Sequence, residues 1–322
     1  MDFKTISATV ADDFEQVNRL IVKKLHSNVP LVDKVGGYII NSGGKRLRPL
    51  ISLLSARACG YEGDKHIQIA AVVEFLHTAT LLHDDVVDES NLRRGKATAN
   101  AVWGNAPSVL VGDFLISRSF QMVVAIKNIR IMEILSDATN LIAEGEVLQL
   151  VNCNDPTTTE EAYMEVIHHK TAKMFEAAAQ SGAVLAKRPE VEELALAEYA
   201  IHLGSAFQLV DDVLDYTGNA DEMGKNVGDD LAEGKPTLPL IYAIKHGSEE
   251  QSLMISNAIK TGGLDHLNEI SAVVKETGAL DYTMERATAE ANQAISALKC
   301  IPESIYKEAL VNLAKSSISR RN

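Results

Sequence analysis

The sequence predicts an all-α protein, and three observations carry that reading. Hydrophobic residues make up 46% of the chain but aromatics only 5%, so the interior has to be built mainly from Ala, Leu, Val and Ile. With only eight prolines in 322 residues, that composition favours packed helices over a β-sandwich or barrel. Apolar residues also recur at helical spacing through nearly the whole length, and no alternating run is long enough to propose a sheet. No low-complexity linker interrupts the chain, so a single domain over residues 1–322 is expected.

Turn residues divide the chain into segments of about 10 to 25 residues, the ordinary range for helices. Pro30 is the first break and Gly43-Gly44 the second. Pro49 opens the helix that follows, at a position where its missing N–H does no harm. After Gly60 a long apolar stretch, Ala70 to Leu82, leads into Asp84-Asp85-Val86-Val87-Asp88. Ser90 to Pro107 is a break, and helical spacing then resumes until Asn152 to Thr159. There Thr158-x-x-Glu161 reads as a capping box that starts another helix. Arg188-Pro189 precedes the apolar run Leu203 to Val210, which leads into Asp211-Asp212-Val213-Leu214-Asp215. Gly218-Asn219, Gly234 to Pro239, Gly247-Ser248, Gly262-Gly263, Gly278 and Pro302 mark the remaining breaks.

Charge and cysteine usage exclude several classes. Against 31 Lys and Arg stand 44 Asp and Glu, a net charge of −13, which argues against nucleic acid as a general partner. A small phosphorylated ligand stays compatible, because a local basic cluster with a divalent cation reverses the sign inside a cleft. Cys59, Cys153 and Cys300 are widely spaced and odd in number, so neither a zinc site nor a disulfide framework is indicated. Met1-Asp2-Phe3-Lys4 lacks the layout of a signal peptide, and no run of about 18 apolar residues predicts a membrane span. Cys300 lies too far from the last residue to be a prenylation site. A soluble cytoplasmic protein is expected.

The two acidic motifs carry the chemistry. Both read D-D-x-x-D, and both follow apolar helix rather than charge-rich surface sequence. Residues at i and i+4 share a helix face, so Asp84/Asp88 and Asp211/Asp215 project as like-charged pairs. One such motif alone is as readily a solvated helix end. Two, each attached to a helix that reads as buried, point to a shared counter-cation, and carboxylate oxygens suit Mg²⁺ held jointly with substrate phosphates. At about 100° per residue His77 falls within roughly 40° of Asp84 and Asp88, whereas His83 lies off that face and reads as structural. Gln208 stands one turn before the second motif; it fits a plain core amide, but an amide there can also hydrogen-bond a metal-bound diphosphate or its water.

Basic groups supply the complementary charge. Gly43-Gly44-Lys45-Arg46-Leu47-Arg48-Pro49 brings three cations into a glycine loop that enters a helix, an anion-binding arrangement without the spacing of a Walker loop. Arg93-Arg94 follows the first motif closely enough for two guanidinium groups to reach one ligand. Lys170-Thr171, Lys225 and Lys235 would each be read, alone, as solvated surface residues.

In order along the chain, GGKRLRP (43–49), His77 through Leu81-Leu82-His83 to the first acidic motif, RRGKAT (93–98), GEVLQL (145–150), HHKTA (168–172), FQLVDDVLD (207–215) and GKNVGDDLAEGKPTLP (224–239) resemble the trans-polyprenyl diphosphate synthases. The resemblance covers nearly the whole chain and is closest to the long-chain bacterial branch typified by octaprenyl diphosphate synthase. It implies a large helical bundle of the isoprenoid synthase type around a central cavity, acting as a homodimer. It implies Mg²⁺ held by Asp84, Asp85 and Asp88 on the allylic diphosphate and by Asp211, Asp212 and Asp215 on its other side. Lys45, Arg48, His77 and Arg94 match the pocket for isopentenyl diphosphate, and Arg93, Lys170, Thr171, Gln208, Lys225 and Lys235 match contacts to an allylic diphosphate such as farnesyl diphosphate. Asp84, Asp88, Asp211, Asp212, Lys170 and Lys225 are then the groups expected to serve catalysis, in an enzyme that supplies a quinone side chain, for ubiquinone or menaquinone.

Such a reaction needs no side-chain nucleophile, in agreement with the lack of a Ser/His or Cys/His arrangement. It needs cations around a departing diphosphate and an apolar cavity that keeps the allylic carbocation from water. In this family bulky aromatics just before the first motif stop chain growth early; here the positions are Ala79 and Thr80. A product running past them along Leu76 and Val73, to a floor at Met122, Val123 or Leu135, is expected. Two rival enzymes are a class I terpene cyclase or squalene-synthase-like enzyme on the same scaffold, and a metal phosphohydrolase built on His83-Asp84 with His168-His169. A non-enzymatic helical scaffold is the third rival and predicts no metal-dependent binding of allylic diphosphates.

Overall fold

In a computed structural model of the chain, residues 3–217, 228–262 and 264–319 are described. The helices in chain order are α1 (Phe3–Ala8), α2 (Ala11–Leu25), α3 (Pro30–Ile40), α4 (Leu47–Ala58), α5 (Lys65–Val87), α6 (Ala99–Trp103), α7 (Asn105–Ile126) and α8 (Ile129–Asn152). They continue as α9 (Glu160–Ile167), a π-helical turn (His168–Ala172), α10 (Lys173–Leu185), α11 (Glu190–Thr217), α12 (Asp229–Ala232), α13 (Leu238–His246) and α14 (Glu249–Thr261). The last are α15 (Leu267–Glu276), α16 (Ala279–Ala297), a 3₁₀ turn (Leu298–Cys300) and α17 (Ile305–Ile318). The only sheet among the described residues is a hairpin of two-residue strands, β1 (Leu92–Arg93) and β2 (Lys96–Ala97). The all-α expectation holds.

The residues group into two compact units, each assembled from three stretches of chain. The first takes Met1–Thr139, Met174–Glu198 and Ala297–Leu313; the second takes Asn140–Lys173, Tyr199–Ser296 and Ala314–Asn322. In the first, α5 is apolar nearly all round and therefore occupies the centre, with α2, α4 and α7 packed on it. Val73, Phe75, Leu76, Ala79 and Leu82 along α5 are at most 3% exposed, and Leu50, Ile51, Leu53 and Leu54 of α4 are fully buried. In the second unit, Leu231, Leu240, Ile255, Ile259, Ile270 and Val274 form one apolar cluster. Tyr163, Met164, Ile167, Leu209, Val210, Leu238 and Ala287 form another.

Several breaks depart from the sequence reading. The stretch between Pro107 and Asn152 is two helices: Lys127 takes the left-handed conformation (φ 57°) that ends α7, and the Asn128 Oδ1 accepts from the Ile131 N–H at the start of α8. Neither Gly nor Pro marks that corner. The break from Ser90 to Pro107 contains the hairpin and α6, and Pro107 itself lies in the first turn of α7. Helix α9 is capped one residue later than Thr158 predicts, because the Thr159 hydroxyl is the one that accepts from the Ala162 N–H, while Thr158 bonds back to Asp155. The complete capping box is at Ser248, which exchanges bonds with Gln251.

By length and composition α7 could cross a membrane, the one such helix among the described residues. Its apolar character has another source in its packing on α5: the Ser108 hydroxyl donates to the Leu82 carbonyl, and Val111, Leu115 and Met122 are buried. The helix also carries Asp113 and Arg118, which suit a protein surface better than lipid.

A polar staple fastens the first unit. Arg57 donates from Nε and Nη2 to the two oxygens of buried Asp13, 2.7 Å each, and the His66 Nε2 lies 3.1 Å from Asp13 Oδ2. Burial above all holds the His66 pKa below its usual 6.5, and Arg57 and His66 together hold Asp13 below the usual carboxylate range against burial. Both folded pKa values are depressed. Each group therefore contributes stability above its unfolded pKa and loses it on acidification. Melting temperature is expected to fall as pH drops through about 6.5, and His66→Phe should flatten that first limb in calorimetric scans between pH 8 and 5. An identical slope in the variant would assign the limb to other groups.

Candidate active site

In the first unit, the carboxyl end of α5 and the loop before α4 bring the basic residues together. Arg46 caps α4 in the left-handed region (φ 47°, ψ 48°), a conformation unfavourable for a side chain with a Cβ. Bonds from its guanidinium to Asn18 Oδ1 and to the Ile40 carbonyl hold it there, with Glu74 Oε1 at 3.5 Å. Arg94, also left-handed (φ 53°), reaches back to donate to the Gly43 carbonyl. Arg48 lies over the Phe175 ring, 4.7 Å from its centre, and its Nη1 stands 3.1 Å from His77 Nε2. Burial, and then Arg48, Arg93 and Arg94, push the His77 pKa well below normal, so the imidazole is neutral and accepts from Arg48. Buried Glu74 is raised by desolvation against the pull of Arg46, Arg48 and Arg94. Arg48, His77 and Arg94 thus form one neighbourhood, while Lys45 is exposed on the adjoining loop.

The first acidic motif is divided by its own helix end. Asp84 and Asp88 are partly exposed, but Asp85 is fully buried. Its Oδ1 accepts from Arg93 Nε at 2.9 Å and Nη2 at 2.8 Å. The helix closes with Ser90 N–H on the Asp85 carbonyl and Glu89 N–H on the Val86 carbonyl, so Glu89 sits at a left-handed position (φ 50°) usually given to Gly. The Asn100 amide donates to the Asp85 and Ser90 carbonyls, tying α6 to the same end. Asp85 and Arg93, expected respectively on a metal and on a diphosphate, are therefore engaged with each other and fix the hairpin beside the motif. A burial pattern of one aspartate in and two out is not visible in D-D-x-x-D itself.

His83 is committed elsewhere. Its Nε2 lies 3.1 Å from the Val109 carbonyl and 3.4 Å from Asp113 Oδ1, both on α7. That removes the first ligand the phosphohydrolase reading needs. The predicted channel residues Val73, Leu76, Ala79, Met122, Val123 and Leu135 are all buried within the first unit, and Thr80 is half-buried with its hydroxyl donating to the His77 carbonyl.

The second unit holds a pocket of about 140 Å³ that collects Lys170, Thr171, Gln208, Asp212 and Lys235. These come from the π-helical turn, α11 and the loop before α13. The extra residue of a π turn shifts side chains off the regular helical register and often marks a functional site. Space for it comes from two glycines. A Cβ on Gly145 would come within 2.8 Å of the Lys170 backbone nitrogen, and one on Gly204 within 2.7 Å of Ala172 Cα. The Lys170 Nζ donates to Glu146 Oε2 (2.6 Å) and Gln149 Oε1 (2.5 Å), both on α8. The Thr171 hydroxyl donates to Gln208 Oε1 (3.1 Å), which turns the Gln208 amide nitrogen toward Asp212 Oδ1 (2.8 Å). Lys235 pairs with Glu233.

The carboxylates here are crowded. Burial, and then Asp230 and Asp211, push Asp212 up to about 8, against the lowering effect of bonds from Tyr163 and Gln208. Asp215 is fully buried and Asp211 partly exposed. A divalent cation fits this donor set, since it would relieve the repulsion that raises Asp212. Among the described residues no three His, Cys, Asp or Glu side chains form a ready-made cage, so a cation here would complete its shell from water and phosphate oxygens. Lys225 lies outside the described residues. Sequence reasoning left Tyr163, Glu146, Gln149 and Asp230 without roles. Glu146, Gln149 and Asp230 sit inside motifs that carry the resemblance, whereas nothing in the pattern of α9 distinguishes Tyr163 from a core aromatic.

Known proteins resemble this chain over nearly its whole length. A family profile described as polyprenyl synthetase matches residues 29–277. Octaprenyl diphosphate synthase of Escherichia coli (strain K12) is 53% identical over 321 residues, 99% of each chain. The all-trans-nonaprenyl-diphosphate synthase (geranyl-diphosphate specific) of Rhodobacter capsulatus is 50% identical over 322 residues, again 99% of each. A polyprenyl synthase from Caulobacter crescentus CB15, solved with calcium and isoprenyl diphosphate, superposes with a TM-score of 0.96 at 42% identity, covering 100% of this chain and 98% of that one.

Proposed function

The chain belongs to the polyprenyl synthetase family, and from that premise we propose that it is the prenyltransferase that extends farnesyl diphosphate with isopentenyl diphosphate to all-trans octaprenyl diphosphate. The long-chain all-trans class follows from relatives that match over its whole length. The eight-unit end point is the finer reading, because relatives of nearly equal identity carry eight-unit and nine-unit names. A role in supplying a quinone side chain, ubiquinone in the first instance, belongs to the same proposal.

The observation that carries the site assignment is the gathering of Lys170, Thr171, Gln208, Asp212 and Lys235 in one pocket. Lys170 and Lys235 would exchange their present carboxylate partners for oxygens of the allylic diphosphate, joined by Lys225 and, after release from Asp85, by Arg93. Thr171 and Gln208 would orient the same group by hydrogen bonds. Asp84, Asp88, Asp211, Asp212 and Asp215 would hold the divalent cation, proposed to be Mg²⁺, with Asp85 chiefly anchoring the hairpin. The bound cation supplies neutralisation of the charge that grows on the departing diphosphate. Lys45, Arg48 and Arg94 would bind the diphosphate of isopentenyl diphosphate, and neutral His77, held by Arg48, adds no competing charge. The allylic carbon–oxygen bond breaks first to release diphosphate, the double bond of isopentenyl diphosphate then attacks the resulting allylic carbocation, and a proton leaves to the released diphosphate.

Both units serve this one reaction, so residues 1–322 are proposed as a single catalytic domain; three interleaved stretches in each unit leave no single linker at which to divide it. A cytoplasmic location is proposed too, and a homodimer, to which the exposed apolar side chains Leu110 and Val124 on α7 (66% and 57% exposed) lend support. The terpene-cyclase reading is separated by one assay. Farnesyl diphosphate with Mg²⁺ should release diphosphate at an appreciable rate only when isopentenyl diphosphate is present. Equal release without it would favour the cyclase.

A further inference from the structure

We propose that Tyr163 is a positioning residue that sets the Asp212 carboxylate for divalent-cation binding, an inference that rests on the reading of Asp212 as a cation ligand. Tyr163 stands on α9, 6% exposed, and its ring is part of the apolar cluster with Met164, Ile167, Leu209 and Leu238. Its hydroxyl donates to Asp212 Oδ2. Gln208 Nε2 donates to the other oxygen, Oδ1, at 2.8 Å. Each carboxylate oxygen thus has one neutral donor and one remaining lone-pair direction. A carboxylate clamped in that way is fixed in rotation, and its two unused lone pairs define where a cation can sit.

A buried phenol always seeks a partner, so a bond to some acceptor would be expected of any core tyrosine. Here the partner is itself 1% exposed and belongs to a crowded set of acidic groups in which Asp211 and Asp230 both act on it. Tyr163 also lines the same pocket as Lys170, Thr171 and Gln208. The phenol carries no net charge that would repel a cation. Together with the chain from Thr171 through Gln208, it engages both oxygens of Asp212.

The test is Tyr163→Phe, which removes one oxygen and keeps the ring in its apolar cluster. Mn²⁺ binding is read by electron paramagnetic resonance with inorganic pyrophosphate present, for the wild type, Tyr163→Phe and Asp212→Asn. The proposal expects Tyr163→Phe to bind Mn²⁺ about 10- to 100-fold more weakly than wild type, the range for losing a group that orients a metal ligand. The Mg²⁺ activation constant should rise in step, with the KM for isopentenyl diphosphate unchanged. A general loosening of the fold would move both, so thermal melts and that KM separate the two effects. Unchanged Mn²⁺ affinity in Tyr163→Phe, with Asp212→Asn weakened, would overturn the role of Tyr163 alone. Unchanged affinity in Asp212→Asn would overturn the assignment of Asp212 and the proposal with it.

Discussion

Replacing Ala79 with tyrosine is expected to shift the product to short chains. Ala79 lies five residues before Asp84 on α5, which places it roughly 7.5 Å along the helix axis from that carboxylate at about 1.5 Å per residue. A chain growing from a diphosphate held at Asp84 must pass that level early. Ala79 is fully buried, as are Val73 and Leu76 at 0% and 3% exposure further along the helix. Two consequences of the larger side chain can therefore be told apart. If the growing chain occupies the space beside Ala79, the tyrosine ring takes its place, and mass spectrometry finds short products with the melting temperature little changed. If Ala79 is small only for helix packing, the ring overpacks the core at a cost of about 1–3 kcal/mol, and the product keeps its length while stability falls. The second outcome would remove the channel from this face of α5.

Asp84→Asn and Asp211→Asn are each expected to lower kcat by about 10²- to 10³-fold, the scale for removing one group that stabilises charge in a transition state. Both residues are partly exposed, unlike Asp85, so the amide is accommodated without refolding. Stability should hold or rise in Asp211→Asn, because Asp211 is among the charges that push Asp212 up to about 8. Initial rates over a Mg²⁺ series, with melting curves alongside, check both. Asp85→Asn provides the contrast: it breaks the ion pair with Arg93, and its loss should appear in stability as well as rate. Equal behaviour of all three variants would contradict the division of labour within the first motif.

Much of this was readable from residue order, and what was not has physical causes. Helices α4, α5 and α11 follow from apolar periodicity and from breaks at Gly43-Gly44, Gly60 and Arg188-Pro189, because those residues act locally on the backbone. The corner at Lys127-Asn128 escaped because an ordinary lysine takes the left-handed position. The hairpin at Leu92–Ala97 has strands of only two residues, too short for any period to register. The π turn at His168–Ala172 needs space that Gly145 and Gly204 provide from distant positions in the chain, and a local pattern cannot report that. Asp85 and Tyr163 illustrate the same limit within the site. Motif spacing identified the acidic groups, but which aspartate would be buried against Arg93, and which tyrosine would grip Asp212, depends on tertiary partners eight and 49 residues away.

Mass spectrometry of the product formed from farnesyl and isopentenyl diphosphates with Mg²⁺ tests the central claim most directly. Sequential condensation at this site predicts a ladder of all-trans polyprenyl diphosphates that differ by one isoprene unit and end at octaprenyl diphosphate. Hydrocarbons released without consumption of isopentenyl diphosphate, or no product longer than the farnesyl starter, would contradict it.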